Sequence, residues 1–568
     1  MRFGYPDYFQ HKGKNILFCY YMHHQNEHLK GNNNPNLLDR LISSFSFDSS
    51  LHTGYGLLLL TSVIALSQFL LHLGAMGSYG FHQDELLYVT LGDHLSWGYR
   101  ETPPFIALMS VIGEWLFGDS LIGMRLIPAF FAGGIVHLTG MIVIRLGGRY
   151  FAVLIGCVTV AFSSAFLATG ALFIPQVFDE FFWLLCTYIV LCYLQGPKNY
   201  LLYLLGIAIA VGILVKYTLA VYLMGVVLGL VLNRESRMLV SSKTFVIPFF
   251  VALLILFPHM IWQVQNGFPA FLHLDELQHT QLVHVGRMDF VLQQIVSNGT
   301  GLFVWLGGLI YIFFSKKLSP YFYFATGFML VMLVLLVFRG KAYYAFGAFP
   351  PLFAVGGIFF EDILCRFSKA LKGSFAAFLL LPNLALSLVV LPYLPIGQTS
   401  RIFKWTYNHW GLDFPLRWED QKVHIVNQNY ADMIGWEELA VKTSRFYKRM
   451  STSDQRQTII FAEGYGAAAA FTYYARKYPL PKVVSLSSSF AMWAPEKITA
   501  KNLIFFSSEA IPVMPSQCYT KFASIDNPYS RVHGRGIYLV PNVKKVTLNW
   551  YASEWSEKRL QNFDFRVE

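Results

Sequence analysis

Residues 55–85 read YGLLLLTSVIALSQFLLHLGAMGSYGFHQDE, an apolar run that ends in a histidine, an amide and two carboxylates. A helix of roughly 20 apolar residues crosses a bilayer core about 30 Å thick, so Leu57–Met76 predicts a membrane span. The polar residues His82–Glu85 then fall at the membrane surface. This stretch therefore indicates an integral membrane protein and also marks a candidate site.

Apolar windows of the same kind recur along two thirds of the chain. With 55% hydrophobic and only 14% charged residues, the chain is too apolar for an ordinary soluble enzyme. The windows lie at 55–77, 123–145, 150–171, 181–195, 200–215, 217–232, 244–264, 298–315, 319–338, 343–361 and 374–395. We expect an all-α polytopic bundle of about 11 transmembrane helices, with either two spans or one broken helix around Lys216.

The charges of the loops give an orientation. Lys and Arg are enriched in alternate loops, which we assign to the cytoplasm, so the formal charge of +11 reflects topology and no nucleic-acid partner is expected. Three regions follow from this assignment. They are a flexible cytoplasmic N-terminal tail at 1–50, a membrane domain at 51–395 whose first outer loop is 78–122, and a periplasmic domain at 396–568.

The C-terminal segment has the pattern of a soluble α/β domain. Apolar runs predict strands at Thr458–Ala462, Lys482–Leu486 and Asn502–Phe506, and helices are expected over Trp436–Met450 and Gly466–Tyr478. Gly464-Tyr465-Gly466 joins a strand to a helix, and a tight turn is a better interpretation of this short motif than an anion cradle.

The first outer loop carries the most informative chemistry. Asp84 and Glu85 are adjacent carboxylates at the membrane surface, and such a group accepts a proton from an attacking hydroxyl or amine. We name both as candidate catalytic residues. The alternative interpretation is a solvated acidic cap at the positive end of an interfacial helix.

A phosphate leaving group needs cations, and several lie at the predicted outer ends of helices. Arg339, Lys341, Tyr343 and Tyr344 pair two cations with two phenols, although anchoring at the membrane interface explains such a cluster equally well. A lysine between apolar windows, such as Lys216, is costly and is therefore harder to explain by anchoring. The candidate substrate- and phosphate-binding residues are Lys216, Arg339, Lys341, Tyr343, Tyr344, His82 and Arg100.

No metal site is predicted. The loop 265–297 contains His273, His279 and His284, but their spacing matches no zinc signature, and His82 with Asp84 is only a conceivable ligand pair. We expect structural histidines and no cofactor, and a divalent metal has no support from the sequence.

Several ordered motifs resemble one family of enzymes. They are Phe81-His-Gln-Asp-Glu-Leu-Leu-Tyr, Gly92-Asp-His-Leu-Ser-Trp-Gly-Tyr, Pro103-Pro104, Leu214-Val-Lys-Tyr-Thr, Asn266-Gly-Phe-Pro-Ala, Gly340-Lys-Ala-Tyr-Tyr, Gly435-Trp-Glu-Glu-Leu and Tyr473-Tyr-Ala-Arg-Lys-Tyr. Together they resemble bacterial membrane glycosyltransferases of the protein O-mannosyltransferase superfamily, which are glycosyltransferase family 39-like. The likeness covers about residues 55–500.

The resemblance implies the C-type glycosyltransferase fold and a sugar donor linked to polyprenyl phosphate. It also implies that Asp84 is the base with Glu85 as its neighbour, and that Lys216, Lys341 and Tyr344 contact phosphate. The acceptor would be a periplasmic protein, lipid or glycan at the bacterial inner membrane. Gln83, where many members have Arg, and Glu101-Thr102, where many have Gln-Pro, depart from the family pattern.

Two other functional classes fit parts of the sequence. A multi-spanning transporter or lipid flippase fits the number of apolar windows and the lysine between two short ones, but no internal repeat with paired broken helices is evident. A non-catalytic envelope scaffold would use the outer domain to bind a partner, with the acidic pair serving only as a helix cap.

Overall fold

The computed structural model describes residues 51–241, 243–507 and 519–560. The tail expected at 1–50 lies outside these residues. The chain divides into two compact units, Met1–Gly56 and Leu57–Glu568, and the structure described below is that of the second unit together with the start of its first helix, which begins at Leu51.

The first two thirds of this unit are helical. In chain order the helices are α1 Leu51–Ala75, α2 Gln83–Leu91, α3 Phe105–Phe117, α4 Leu121–Arg145, α5 Tyr150–Phe162, α6 Ser164–Thr169, α7 Pro175–Gln195, α8 Asn199–Val215, α9 Thr218–Leu232, α10 Arg234–Val240, α11 Ile247–Gln265, α12 Pro269–Thr280, α13 Arg287–Asn298, α14 Gly301–Phe314, α15 Tyr323–Val337, α16 Phe349–Leu364, α17 Lys369–Val390 and α18 Ile396–Trp410. Short 3₁₀ helices lie between some of them, including Ala342–Ala348 before α16.

Within the described ranges, six helical segments are long and apolar enough to cross a membrane, or seven if the bent pair α13 and α14 forms one span. They are Gly54–Ala75, Leu121–Arg145, Pro175–Gln195, Lys243–Gln265, Ala342–Leu364 and Lys369–Val390. Five shorter apolar helices, α3, α5, α8, α9 and α15, complete the bundle. The predicted polytopic bundle is confirmed.

Each of the eleven apolar windows contains a helix, but several windows are interrupted. The window 150–171 breaks at Ser163, whose backbone is extended, and Lys216 is extended between α8 and α9. The helices on either side of Lys216 pack against different neighbours, α8 on α7 and α11 and α9 on α15. The sequence around Lys216 therefore forms two helices, both too short to meet the length of a full span.

The C-terminal region is a mixed α/β layer. Its elements are α19 Gln428–Ala431, α20 Trp436–Tyr447, α21 Thr452–Arg456, β1 Thr458–Ala462, α22 Tyr465–Tyr474, β2 Lys482–Val484, α23 Phe490–Trp493, β3 Asn502–Phe506, β4 Thr520–Ser524, β5 Gly536–Val540 and α24 Lys545–Leu560. The sheet order is β2-β1-β3-β5-β4, with β1 parallel to β2 and β3, and β5 antiparallel to β3 and β4. Ile460 of β1 pairs with Val483 on one side and Ile504 on the other.

The α/β prediction for this region is confirmed. Strands β1 and β3 have the predicted bounds, and β2 ends two residues earlier than expected. Prediction missed β4 and β5. Phe461, Leu503 and Phe505 from the central strands form a core with Val540 and Tyr551, because alternate strand residues point to the same face.

The first loop is fixed by a capped helix. His82 precedes α2, its Nδ1 accepts from the backbone N–H of Asp84 at 3.1 Å, and its own N–H donates to Glu85 Oε2 at 2.9 Å. This reciprocal arrangement is a capping box, and the acidic first turn is favoured by the positive end of the helix dipole. The sequence His82–Glu85 thus sets the direction of both carboxylates.

Glu85 then attaches the loop to the bundle. Its carboxylate accepts from Arg125 of α4 at 2.9 Å (Nε) and 2.6 Å (Nη2), and from the N–H of Phe173 at 2.9 Å. Arg125 also donates to the carbonyls of Met76 and Gly80. Both charged side chains are almost fully buried. Burial raises the pKa of Glu85, but the Arg125 charge and the surrounding hydrogen bonds outweigh burial and leave this pKa below its usual value.

We expect Glu85→Gln to lower the free energy of unfolding by about 3–5 kcal/mol, because it leaves the Arg125 guanidinium buried without its counter-charge. Thermal or denaturant unfolding of the purified protein in detergent measures this change. The matched control is Glu437→Gln, which breaks a surface pair with Lys477 and should cost under about 1 kcal/mol.

The same pair predicts a pH dependence. The folded-state pKa of Glu85 is lowered, so its contribution to stability is complete above the ordinary value of 4.5 and is lost as pH falls through the folded-state value. The stability gap between the native protein and Glu85→Gln should therefore narrow on acidification. Equal stability of the two proteins at neutral pH would contradict this account.

Candidate active site

Asp84 differs from Glu85 in that it is accessible. Its side chain is 36% exposed, whereas that of Glu85 is fully buried. Oδ1 of Asp84 accepts a hydrogen bond from the Tyr465 hydroxyl at 2.8 Å, and Oδ2 lies 3.8 Å from His82 Nδ1. The two predicted carboxylates therefore differ in their surroundings: Asp84 is accessible to solvent, and Glu85 is buried in its pair with Arg125.

Lys216 is held at the break between α8 and α9. Its Nζ donates to Gln176 Oε1 at 2.8 Å and lies 4.1 Å from the ring centroid of Tyr344 and 5.4 Å from that of Tyr343. Gln176 Nε2 donates in turn to the carbonyl of Tyr343 at 2.8 Å. Gln176, at the start of α7, thus brings Lys216 next to Tyr343 and Tyr344, which lie in a different sequence motif.

Tyr88 connects this cationic cluster with Asp84. Burial raises the pKa of the Tyr88 phenol well above its usual range, and the charges of Asp84 and Glu101 add to the shift, together with Tyr343 and Tyr344. These side chains are therefore close enough to interact electrostatically. They meet at the end of the bundle where α1 ends and α7 and α9 begin.

Lys341 extends the cluster towards the C-terminal region. Its Nζ donates to Gln281 Oε1 and to Glu419 Oε1, both at 2.7 Å. Arg339, two residues earlier, has a positive φ of 56° and donates to the carbonyl of Val283 at 3.0 Å, at the surface. The two cations that the motif placed together therefore have different partners.

Arg100 lies where the first loop meets the C-terminal region. Its Nη2 donates to Glu276 at 3.3 Å, and its backbone N–H donates to the Ser489 hydroxyl at 3.0 Å. The same hydroxyl donates to Glu101 at 2.7 Å, and the second oxygen of Glu101 is buried without a partner. Burial raises the pKa of Glu101, an effect that the hydrogen bond from Ser489 opposes.

His82 faces two acids. Its Nε2 lies 3.7 Å from Oδ2 of Asp432, which also accepts from Arg531 at 3.1 Å. Burial raises the pKa of Asp432, and the charges of His82 and Arg531 partly offset this effect. His82 is thus both a helix cap and a contact to the C-terminal region.

Arg476 fastens α22 to the first loop. Its guanidinium contacts Asp93 at 2.6 Å, Glu114 at 2.6 Å and Asp119 at 2.5 Å. His94 stacks on Trp493 with ring centroids 4.3 Å apart. The C-terminal region therefore packs directly on the loop that carries Asp84.

Sequence reasoning missed several members of this site. They are Tyr88, Gln176, Tyr465, Glu419, Asp432 and Arg531. Local signals existed for two of them, since Tyr465 lies in the Gly-Tyr-Gly turn and Tyr88 lies in the Asp-Glu-Leu-Leu-Tyr motif. The other four are brought in by contacts between distant segments.

The histidines of the loop 265–297 do not converge. His279 Nδ1 donates to the backbone carbonyl of Asp275 at 2.9 Å, and both side chains are exposed. Among the residues that the structure describes, no group of three or more His, Cys, Asp or Glu side chains is arranged to hold a metal ion.

Comparisons with known proteins agree with this fold. Residues 101–262 match a family model described as dolichyl-phosphate-mannose-protein mannosyltransferase. A comparison with curated protein sequences found no significant match.

Two solved structures share the architecture over most of both chains. The crystal structure of ArnT from Cupriavidus metallidurans bound to undecaprenyl phosphate is 12% identical, with a TM-score of 0.54, covering 87% of this chain and 99% of that chain. The apo structure of the same protein is 13% identical, with a TM-score of 0.53, covering 88% and 99%. At this identity the likeness concerns the fold. Over residues 101–262 the chain is therefore similar to dolichyl-phosphate-mannose-protein mannosyltransferases, and over most of its length its fold is similar to that of ArnT.

Proposed function

We propose that the protein transfers a sugar from polyprenyl phosphate to an acceptor of the bacterial envelope, on the outer face of the inner membrane, with inversion at the anomeric carbon. The acceptor is a protein, a lipid or a polysaccharide. One observation carries the proposal. Asp84 is accessible, and its charge acts on the buried Tyr88 phenol together with Tyr343 and Tyr344, the two phenols whose ring centroids lie 5.4 Å and 4.1 Å from Lys216 Nζ.

The donor phosphate is assigned to the cationic cluster. The ArnT structure contains undecaprenyl phosphate, and its fold supports the same lipid carrier here. The Lys216 ammonium has three donors, and Gln176 uses one of them, so two are available for phosphate oxygens. Lys341, Tyr343 and Tyr344 complete the proposed phosphate site, and the lipid tail lies in the bilayer.

In the proposed step, Asp84 accepts the proton of an acceptor hydroxyl or amine as that group attacks the anomeric carbon. A new bond forms from the nucleophile to this carbon, and the bond from the carbon to the phosphate oxygen breaks. Polyprenyl phosphate leaves with the electron pair, and Lys216 and Lys341 stabilise its added negative charge. A single displacement of this kind inverts the configuration.

The other candidate residues receive supporting roles. We propose that Glu85 positions the loop through Arg125, because neither of its oxygens is accessible. His82 caps α2, while Arg100 and Arg339 hold surrounding loops through Glu276 and Val283. Asp84 is then the one carboxylate of the first-loop pair that we assign to proton transfer.

The orientation that we propose for the protein in the membrane follows from the distribution of charged residues between its loops. Lys317 lies next to Gly147, just after α4, and Lys372 binds the carbonyl of Cys365, just after α16. Arg149 and Glu361 join these two helix ends, whereas Arg125 near the start of α4 binds Glu85 beside Asp84, so the two lysines lie at the opposite end of the bundle. Cytoplasmic loops are enriched in lysine and arginine, which supports a cytoplasmic N-terminus and a periplasmic C-terminal region.

We expect Asp84→Asn to lower the rate of sugar transfer by about 10²–10⁴-fold, because the amide cannot accept the acceptor's proton. Membranes of a strain that lacks the chromosomal gene supply native donor and acceptor. Mass spectrometry of envelope glycans and glycoproteins identifies the product, and its rate of formation is measured after addition of each purified variant.

Asp275→Asn is the matched control, since Asp275 is an exposed aspartate of α12, and it should transfer at the parental rate. If folded Asp84→Asn protein also transferred at the parental rate, the proposed base would be wrong.

A second prediction concerns the donor phosphate. Lys216→Gln should weaken binding of undecaprenyl phosphate about tenfold or more, because it removes a charge-assisted hydrogen bond worth about 1.5–3 kcal/mol. Radiolabelled undecaprenyl phosphate and protein in nanodiscs provide the measurement. Lys372→Gln, in the first turn of α17 and next to the C-terminal end of α16, should bind as the native protein does. Equal affinity of all three proteins would refute the assignment.

A further inference from the structure

The hydroxyl of Tyr465 reaches Asp84 from the C-terminal region, 381 positions along the chain. Tyr465 is the first residue of α22, directly after the turn that follows β1. Its oxygen lies 2.8 Å from Asp84 Oδ1, the geometry of a strong hydrogen bond to a carboxylate. The proposed base therefore has a fixed partner outside the membrane bundle.

Both ends of α22 are held against the first loop. At its start, a Cβ on Gly466 would lie 2.8 Å from Gln83 Oε1 and 3.2 Å from Gln83 Cβ, so a glycine permits the close approach to α2. Just beyond its end, Arg476 binds Asp93, Glu114 and Asp119. The Tyr465 hydroxyl is thus placed on Asp84 by packing along the whole helix.

We propose that Tyr465 is a positioning residue for the proposed base Asp84: its hydroxyl occupies Oδ1 and orients the carboxylate so that Oδ2 meets the acceptor. This inference rests on the function proposed for Asp84. Full activity then requires docking of the C-terminal region, since the hydroxyl that donates the hydrogen bond to Asp84 belongs to that region.

The phenol is suited to a permanent donor role. Burial raises the pKa of Tyr465 well above its usual range, and the charge of Asp84 adds to the increase. The Tyr465 hydroxyl therefore keeps its proton across the physiological pH range and donates a hydrogen bond to the Asp84 carboxylate.

Other groups face Asp84 and set the background for any titration. They are His82 on the same loop, Tyr88 of α2, Tyr343 before α16, and Asp432 before α20. A substitution at position 465 leaves all of them in place. A change in pH dependence on altering Tyr465 alone then reports on its hydrogen bond.

The test is the pH profile of sugar transfer by full-length Tyr465→Phe. Phenylalanine removes the hydroxyl that donates a hydrogen bond to the Asp84 carboxylate. Since a hydrogen bond to a carboxylate favours its ionised form, the acidic limb of the profile should move to higher pH by about one unit. The matched control is Tyr473→Phe on the same helix, whose ring packs edge-on against Phe81 at 4.9 Å. Its acidic limb should coincide with that of the native protein.

A second variant protects the test against misfolding. Replacing Tyr465 with 3-fluorotyrosine keeps the ring and makes the hydroxyl a stronger donor, so the acidic limb should move to lower pH. Opposite shifts of the two variants support the inference, and an unchanged limb in both overturns it. If the limb is unchanged while Asp84→Asn is inactive, only the role of Tyr465 fails, whereas an active Asp84→Asn refutes the proposed function itself.

Discussion

The buried pair of Glu85 and Arg125 is the constraint on which the site depends. It ties the first residues of α2 to α4 in the bundle, and Arg125 also binds the backbone carbonyls of Met76 and Gly80 that lead into the loop. A buried ion pair adds little net stability compared with apolar packing, but removing one partner is costly. The pair is therefore best understood as a device that fixes the position of the loop, and Asp84 follows from it because the two carboxylates are adjacent.

Around this fixed loop, two separate structures supply the remaining chemistry. The membrane bundle contributes Lys216, held by Gln176 against Tyr344 at a break between two short helices. The C-terminal region contributes Tyr465 to Asp84, and its Glu419 binds Lys341. In the function proposed above, the cations of the bundle bind the donor phosphate and Asp84 accepts the proton of the acceptor.

Sequence patterns predicted the parts of this protein that depend on local order. The apolar windows located the helices of the bundle except α3, which lies within the predicted outer loop, and β1 and β3 matched because each is a short, buried apolar run. Strand β4 was missed because its side chains are largely polar and partly exposed. The pairing of Glu85 with Arg125 spans 40 positions and that of Asp84 with Tyr465 spans 381, so neither leaves a periodic signal. The motif resemblance indicated Asp84 and Lys216 as candidates, yet which of the two adjacent carboxylates is accessible could be seen only in the packed structure.

The most direct test of the account is the structure of the full chain in nanodiscs with bound undecaprenyl phosphate, determined by cryo-electron microscopy. The account predicts phosphate density within hydrogen-bonding distance of Lys216 Nζ, at the end of the bundle that carries Asp84. Phosphate bound instead at the opposite end, beside Lys369 and Lys372, would contradict it.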